Sequence, residues 1–291
     1  MGSPRKAEIT LPPAALARVR ELAADRLGME NRPGKELLLN LRTGRHMREL
    51  GMTDPVEYMR LLEADTTGGR MRDLMDLLTT NHTAFWREPD HFEWLRAQLA
   101  GGREGKERQT IWCAASSSGE EPYTLAMVAR EAMGPGAAEK IQILATDVST
   151  RILETARAGV YSRDRIQPLP EAWRRQYFDS GRNGAQGRCR VKSEIRRMVH
   201  FRRLNLVEPF PGIGPFPFIF CRNVMIYFSR ETRMRIVQKL LRRLTPDGHL
   251  LVGYAEGLSG QEADTDYVRP AVYRRRRDTE ADAGQGGERW V

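Results

Sequence analysis

The sequence predicts an α/β protein, a doubly wound and mostly parallel sheet with a small inserted β-subdomain, preceded by a small all-helical domain. Three observations predict it. Up to about residue 99 apolar residues recur with a helical period, and beyond Gly101-Gly102 short apolar runs alternate with helical stretches. A glycine-bearing segment over residues 170–199 interrupts that alternation.

In the first region, Met71, Leu74, Met75 and Leu78 fall at i, i+3, i+4 and i+7, one apolar stripe on a helix. Residues 35–50 mix Leu37, Leu38, Leu41 and Leu50 with Lys35, Arg42, Arg45 and Arg48, which predicts a helix or helices with a basic outer face. That face is either ordinary solvated surface or a docking surface. Five strands are expected at 110–114, 141–145, 200–206, 216–221 and 249–254. Crossover helices are expected at 121–131 and 230–244, the second stopped by Pro246-Asp247-Gly248. Within 170–199, Gly181, Gly184 and Gly187 form a turn between Gln176-Tyr177-Phe178 and residues 188–191, the pattern of a hairpin. The expected division is a helical domain over 1–85, a sheet domain over 86–275 and a disordered tail over 276–291 that follows the run Arg274-Arg275-Arg276-Arg277.

Size and composition narrow the class. With 291 residues and 40% hydrophobic content the chain can fill a core, and no run reaches the roughly eighteen apolar residues that a bilayer span needs. The N-terminal residues lack an apolar signal core, so a cytoplasmic location is expected. Cys113, Cys189 and Cys221 lie far apart, which suggests neither a disulfide frame nor a zinc site. A formal charge of +9 calls for a polyanionic partner, whether nucleic acid, an anionic membrane surface or an acidic protein.

The residues that carry chemistry gather at predicted strand ends, where open sheets bind ligands. The first strand runs into Ala115-Ser116-Ser117-Ser118-Gly119-Glu120-Glu121-Pro122-Tyr123, small residues followed by a helix start. This is neither a G-x-G-x-x-G nor a P-loop, which weakens dinucleotide and nucleoside triphosphate readings. The second strand ends Ala145-Thr146-Asp147, and a carboxylate there can accept both hydrogen bonds of a ribose diol. Alternatively Asp147 or Ser149 caps the next helix. The fourth strand ends Phe220-Cys221-Arg222-Asn223-Val224-Met225-Ile226-Tyr227-Phe228. The cluster Asn81-His82-Thr83-Ala84-Phe85-Trp86-Arg87-Glu88-Pro89 either folds over the same cleft or merely joins two helices.

Taken together with Leu204-Asn205-Leu206, these blocks resemble the CheR family of chemotaxis receptor methyltransferases, from the helical region to about Tyr273. His82, Trp86 and Ser116-Ser117-Ser118 depart from the usual family pattern without removing a polar group the chemistry needs. The resemblance implies a class I methyltransferase domain that binds S-adenosylmethionine and releases S-adenosylhomocysteine, with no metal. The implied cofactor contacts are Asn81, Thr83, Arg87, Glu121, Asp147, Asn205, Leu206, Arg222 and Asn223, with Glu120 left open as the alternative to Glu121. The implied reaction methylates glutamate side chains of chemoreceptors. A glutamate with a pKa of about 4.3 is already ionised at neutral pH, so no general base is required. That suits a chain whose His46, His82, His91, His200 and His249 match no nucleophile or metal spacing. Arg87, Arg222 and Tyr227 are the candidates for holding the acceptor carboxylate in line.

The expected partners are acidic, helical receptor segments docked by the basic N-terminal helix, and a receptor C-terminal peptide added as a strand to the β-subdomain. A monomer that is not inserted in a membrane and does not act on nucleic acid is expected. Two other readings compete. A nucleic-acid methyltransferase shares the basic charge, but Arg222-Asn223 stands where an Asn/Asp-Pro-Pro-Tyr/Phe element would. A catalytically silent cofactor-binding module is disfavoured by the joint presence of Arg87, Asp147, Arg222 and Tyr227.

Overall fold

The computed structural model describes residues 9–29, 36–66, 68–79, 81–101, 108–181, 187–210, 212–258 and 265–276. Four helices come first: α1 (Pro13–Leu27), α2 (Glu36–Glu49), α3 (Pro55–Glu63) and α4 (Gly69–Leu78). Asp54 caps α3 by accepting from the Val56 amide at 2.9 Å, and Pro55 follows at the first helical position, where its missing N–H costs nothing. The apolar faces meet around Val19, Met47, Tyr58 and Leu74, all fully buried. Leu74, Met75 and Leu78 of the expected stripe lie in this core, with Met71 at its margin.

Helix α2 departs from the simple expectation of an apolar inner and basic outer side. Its buried residues are Thr43, Gly44, His46 and Met47, whereas Leu37 is 70% exposed and Leu38 44%. Two contacts, one buried and one half-buried, explain this orientation. His46 Nδ1 lies 2.8 Å from Tyr58 Oη, and Arg42 Nη1 donates to the Leu78 carbonyl at 2.5 Å. The outer face is therefore leucine and arginine together: Arg45 and Arg48 are exposed, Arg42 is turned inward, and Lys35 lies outside the described residues.

Helix α5 (Pro89–Ala100) belongs to the next unit, because Phe92, Leu95 and Leu99 share a core with Ile111 and Phe220. The chain continues through β1 (Gln109–Ala114), α6 (Glu120–Met133), α7 (Ala137–Lys140), β2 (Ile141–Asp147) and α8 (Thr150–Ala158). Next come β3 (Val160–Ser162), α9 (Arg163–Ile166), α10 (Glu171–Tyr177), β4 (Phe178–Ser180), β5 (Arg188–Val191) and α11 (Ser193–Arg196). The remaining elements are β6 (Val199–Arg203), β7 (Phe216–Cys221), α12 (Arg230–Leu241), β8 (Leu244–Leu251), β9 (Thr265–Arg269) and β10 (Val272–Arg275).

Seven strands form one sheet in the order β6-β2-β1-β7-β8-β10-β9. The first five in that order run parallel, and β10 is antiparallel to both neighbours. The central strands are buried on both faces, as Ile111 to Ala114 and Phe216 to Cys221 require with helices on each side. The chain leaves β1 for β2 on one side and later returns as β7 on the other. Their C-terminal ends form the switch point at which such a sheet opens a crevice.

The inserted subdomain is a three-stranded antiparallel sheet, β3-β5-β4. It begins at Val160, earlier than the expected start at Pro170, because the three-residue strand β3 is too short to show a period. Of the glycine turn, Gly181 and Gly187 are described and Gly184 lies outside the described residues, as do residues 277–291 of the expected tail. Helix α12 stops at Leu241 instead of Leu244. Leu244 pairs with Phe216 and opens β8, so Pro246-Asp247-Gly248 becomes a register shift inside that strand. Pairing with the buried β7 outweighs the local turn preference.

Candidate active site

A cleft opens at the ends of β1, β2 and β7. All ten residues singled out from the sequence line it: Asn81, Thr83, Arg87, Glu121, Asp147, Asn205, Leu206, Arg222, Asn223 and Tyr227. The helical layer supplies one wall through Leu27, Met29 and Thr79, which sequence spacing did not indicate. Met29 reaches across to Phe228 as an isolated bridge, closing the layer onto the loop that follows β7.

The floor is built from the turn after β1. Ala115 and Ser117 adopt left-handed backbone (φ 63° and 49°), leading to Gly119 at φ 97°. A Cβ on Gly119 would stand 2.9 Å from Tyr161 Oη and 3.0 Å from Ala156 Cβ, so only glycine lets α6 start this close to α8. Asp147 holds the turn from the neighbouring strand. Its Oδ2 accepts from the Ser117 amide at 2.9 Å and its Oδ1 from the Ser149 amide at 3.0 Å. The helix cap is Ser149, whose Oγ accepts from Ile152 N at 3.2 Å, so Asp147 keeps lone pairs facing the cleft. Burial pushes the Asp147 carboxyl above its ordinary range, opposed by the Ser149 and Ser117 amides.

The adjacent glutamates face different ways. Glu120 is fully buried, accepts from Ser118 Oγ at 2.6 Å and pairs with Arg165 of α9. Glu121 lines the cleft, where it accepts from Arg222 Nη1 at 2.7 Å and from Cys113 Sγ at 3.2 Å.

Arg222 is wholly buried and both its arms are engaged. Besides Glu121 it reaches Glu88 Oε2 at 3.0 Å and the Arg87 carbonyl at 2.5 Å, and its guanidinium lies 5.2 Å from the centre of the Phe92 ring. Glu88 also takes Asn223 Nδ2 at 3.0 Å. Burial acts to raise the Glu88 carboxyl, but Asn223 and the Arg222 charge outweigh it and leave it below its ordinary value. Arg87 makes one side-chain bond, Nη1 to the His82 carbonyl at 3.2 Å, in an exposed setting. Tyr227 ends a short 3-10 helix, Met225–Tyr227, and Asn205 Nδ2 donates to the Arg26 carbonyl at 2.8 Å, joining α1 to the sheet.

Among the described residues six non-glycine residues have positive φ, and five of them (Trp86, Glu88, Ala115, Ser117 and Asn223) stand in or beside this cleft. Strained backbone gathered at one place is the mark of a site whose geometry is held by its surroundings. The donor set suits S-adenosylmethionine. A carboxylate with free lone pairs ends β2, a small-residue turn permits close approach, and Glu121 and Asn81 offer polar partners to an amino-acid moiety. Among the described residues no group of three or more His, Cys, Asp or Glu side chains gathers as metal ligands.

Residues 81–273 match the family model described as CheR methyltransferase, SAM binding domain. The chain belongs to the CheR methyltransferase family. Over 269 residues it is 36% identical to the chemotaxis protein methyltransferase of Borreliella burgdorferi, covering 89% of this chain and 93% of that one. It is 37% identical over 257 residues to the chemotaxis protein methyltransferase of Escherichia coli, covering 87% of this chain and 88% of that one. The corresponding protein of Salmonella typhimurium is also 37% identical, over 254 residues and 86% of each chain. This CheR protein is thus an S-adenosylmethionine-dependent chemotaxis methyltransferase. Among its described residues no helix is long and apolar enough to cross a membrane.

Proposed function

We propose that this CheR protein transfers a methyl group to glutamate side chains of chemoreceptors in the cytoplasm, giving glutamyl methyl esters. The observation that carries the reading is the composition of the cleft, in which cationic and phenolic groups, Arg87 and Tyr227, stand around one space with Asp147 and Glu121; His82 also lines it, but an acceptor that attacks as its anion gives an imidazole no proton to remove. S-adenosylmethionine supplies an electrophilic methyl group on a sulfonium sulfur. Asp147 would hold the ribose hydroxyls, with Asn81, Thr83, Glu121, Asn205, Leu206 and Asn223 forming the rest of the cofactor surface. Arg87 and Tyr227 orient the acceptor carboxylate, which attacks as the anion and needs no proton removed. Arg222 works through others, because its guanidinium is held between Glu88 and Glu121. Weak orientation of the acceptor is the better design, since a tight grip would stabilise the charged ground state.

The outer face of α2 is the proposed receptor-docking surface. Exposed Leu37, Leu38 and Leu41 can meet the apolar side of a receptor helix, and Arg45 and Arg48 its acidic side. Arg42 of this helix donates to the Leu78 carbonyl, one residue before Thr79 of the cleft wall, which supports a docking face close to the cleft. The antiparallel β-subdomain offers edge strands β3 and β4 for a receptor C-terminal peptide. Incubation with radiolabelled S-adenosylmethionine and receptor-bearing membranes, followed by mild alkali, tests the proposal. Volatile base-released label on the receptor supports it; cofactor binding with no such label overturns it.

A further inference from the structure

Glu256 is an acidic side chain with no exposure to water, yet it lies outside the cleft lining. Burying a carboxylate costs several kcal/mol unless its oxygens are satisfied, and among the described residues no lysine or arginine pairs with it. Its partners are backbone amides. Oε2 accepts from Gly253 N at 2.8 Å and from Asn223 N at 2.6 Å, and Oε1 accepts from Ile226 N at 3.2 Å. Two of these three donors belong to the segment after β7, 33 and 30 residues away in sequence. That segment is the loop from Asn223, at φ 57°, through the short helix that ends at Tyr227. Backbone amides from two segments converging on one point make an anion-binding concavity, and here the protein fills it with its own carboxylate.

Gly253 shows how closely the two segments must approach. A Cβ there would lie 2.5 Å from Asn223 Nδ2, 2.8 Å from Glu256 Oε2 and 3.1 Å from Asn223 N. The Asn223 side chain has a separate holder in Glu88. Glu88 therefore fixes the cofactor-facing amide, while Glu256 fixes the backbone turn that carries Tyr227.

We infer that Glu256 is a positioning residue for methyl transfer: its buried carboxylate sets the Asn223–Tyr227 turn so that Tyr227 meets the acceptor glutamate. The inference rests on the acceptor role of Tyr227 given above. Its consequence is selective. Loss of the carboxylate misplaces the acceptor side while the cofactor surface, held by Asp147, Glu121 and Glu88, persists.

The test uses the full-length protein with receptor membranes and compares E256Q, Y227F and the double variant in turnover and in calorimetric affinity for S-adenosylhomocysteine. A glutamine cannot accept at both positions, since its amide nitrogen would face an N–H. The expected result is turnover lowered about 10-fold or more in each single variant, with S-adenosylhomocysteine affinity within about threefold of the parent. The double variant should fall no further than the worse single, the signature of residues acting through one another. Should E256Q fold poorly, E256D retains the charge but withdraws it by one methylene, and an intermediate loss of turnover is expected. Unimpaired E256Q beside an impaired Y227F, or losses that multiply in the double, would overturn the link while leaving the Tyr227 reading standing. Unimpaired Y227F would overturn both.

Discussion

Replacing Arg222 with methionine should destabilise this CheR protein far more than a surface change, and the loss should depend on pH in a definite direction. The guanidinium lies wholly buried between Glu88 and Glu121, whose side chains are 15% and 13% exposed. Removing one partner of a buried pair leaves an uncompensated charge and costs about 3–5 kcal/mol. Here one cation serves two carboxylates, so the upper part of that range is expected. Lost contact with the Phe92 ring adds about 1 kcal/mol. For a chain of this size such a loss corresponds to a fall in Tm on the order of 10 °C. The sign with pH follows from Glu88. In the parent its carboxyl is held below its ordinary value, so its stabilisation is present above a pH of about 4.5 and lost as pH falls through the folded value. Without Arg222 the Glu88 carboxyl loses the charge that held it down and burial then favours its neutral form, so the gap between variant and parent narrows as pH falls. Denaturation by urea at several pH values between about 5 and 8 measures both effects. A loss under about 1 kcal/mol, or a gap between parent and variant that does not narrow as pH falls, would refute the reasoning.

Asp147→Asn removes charge-assisted hydrogen bonding from the ribose position and places an amide nitrogen against a backbone N–H, so S-adenosylhomocysteine affinity should fall about 10- to 100-fold by calorimetry; a change under about threefold counts against a cofactor role. Arg87→Ala removes a single exposed 3.2 Å bond, so stability should move by no more than about 1 kcal/mol while turnover drops about 100-fold. Comparable losses of both would make Arg87 structural. His91 is pulled down to about 4 by burial and by the Arg222 charge, against the opposing pull of Glu88. The unfolded chain therefore takes up a proton near pH 6.5 that the folded chain refuses, and stability should fall by up to about 3 kcal/mol as pH drops from about 6.5 to about 4. His91→Leu should flatten that slope in urea titrations, and an unchanged slope would assign it elsewhere.

The strand ends were legible because they join two independent patterns, a buried apolar run and an abrupt polar stop. That is why the sequence places Asp147 and Arg222 at one edge of the sheet, whereas Glu121 came only with the family resemblance, which left Glu120 open beside it. The residues behind them were not legible for a physical reason: Glu88 meets Asn223 across 135 residues and Glu256 meets it across 33, and no local period encodes such a contact. The orientation of α2 failed on similar grounds. Leucine spacing marks an amphipathic helix, but His46 took the inner side, where Tyr58 offers a buried hydrogen bond, and Thr43 one turn earlier is buried with it. The end of α12 was misjudged because strand pairing at Phe216 draws Leu244 out of the helical register.

Leu27, Met29 and Thr79 come from the helical layer, whereas the family match begins at residue 81. One side of the cleft is thus encoded ahead of the segment that carries the family's cofactor-binding pattern. Such an arrangement resists modular exchange. A gene fusion that kept only the matched segment would inherit the polar contacts and lose a wall, so the two segments are expected to travel through evolution as one heritable unit.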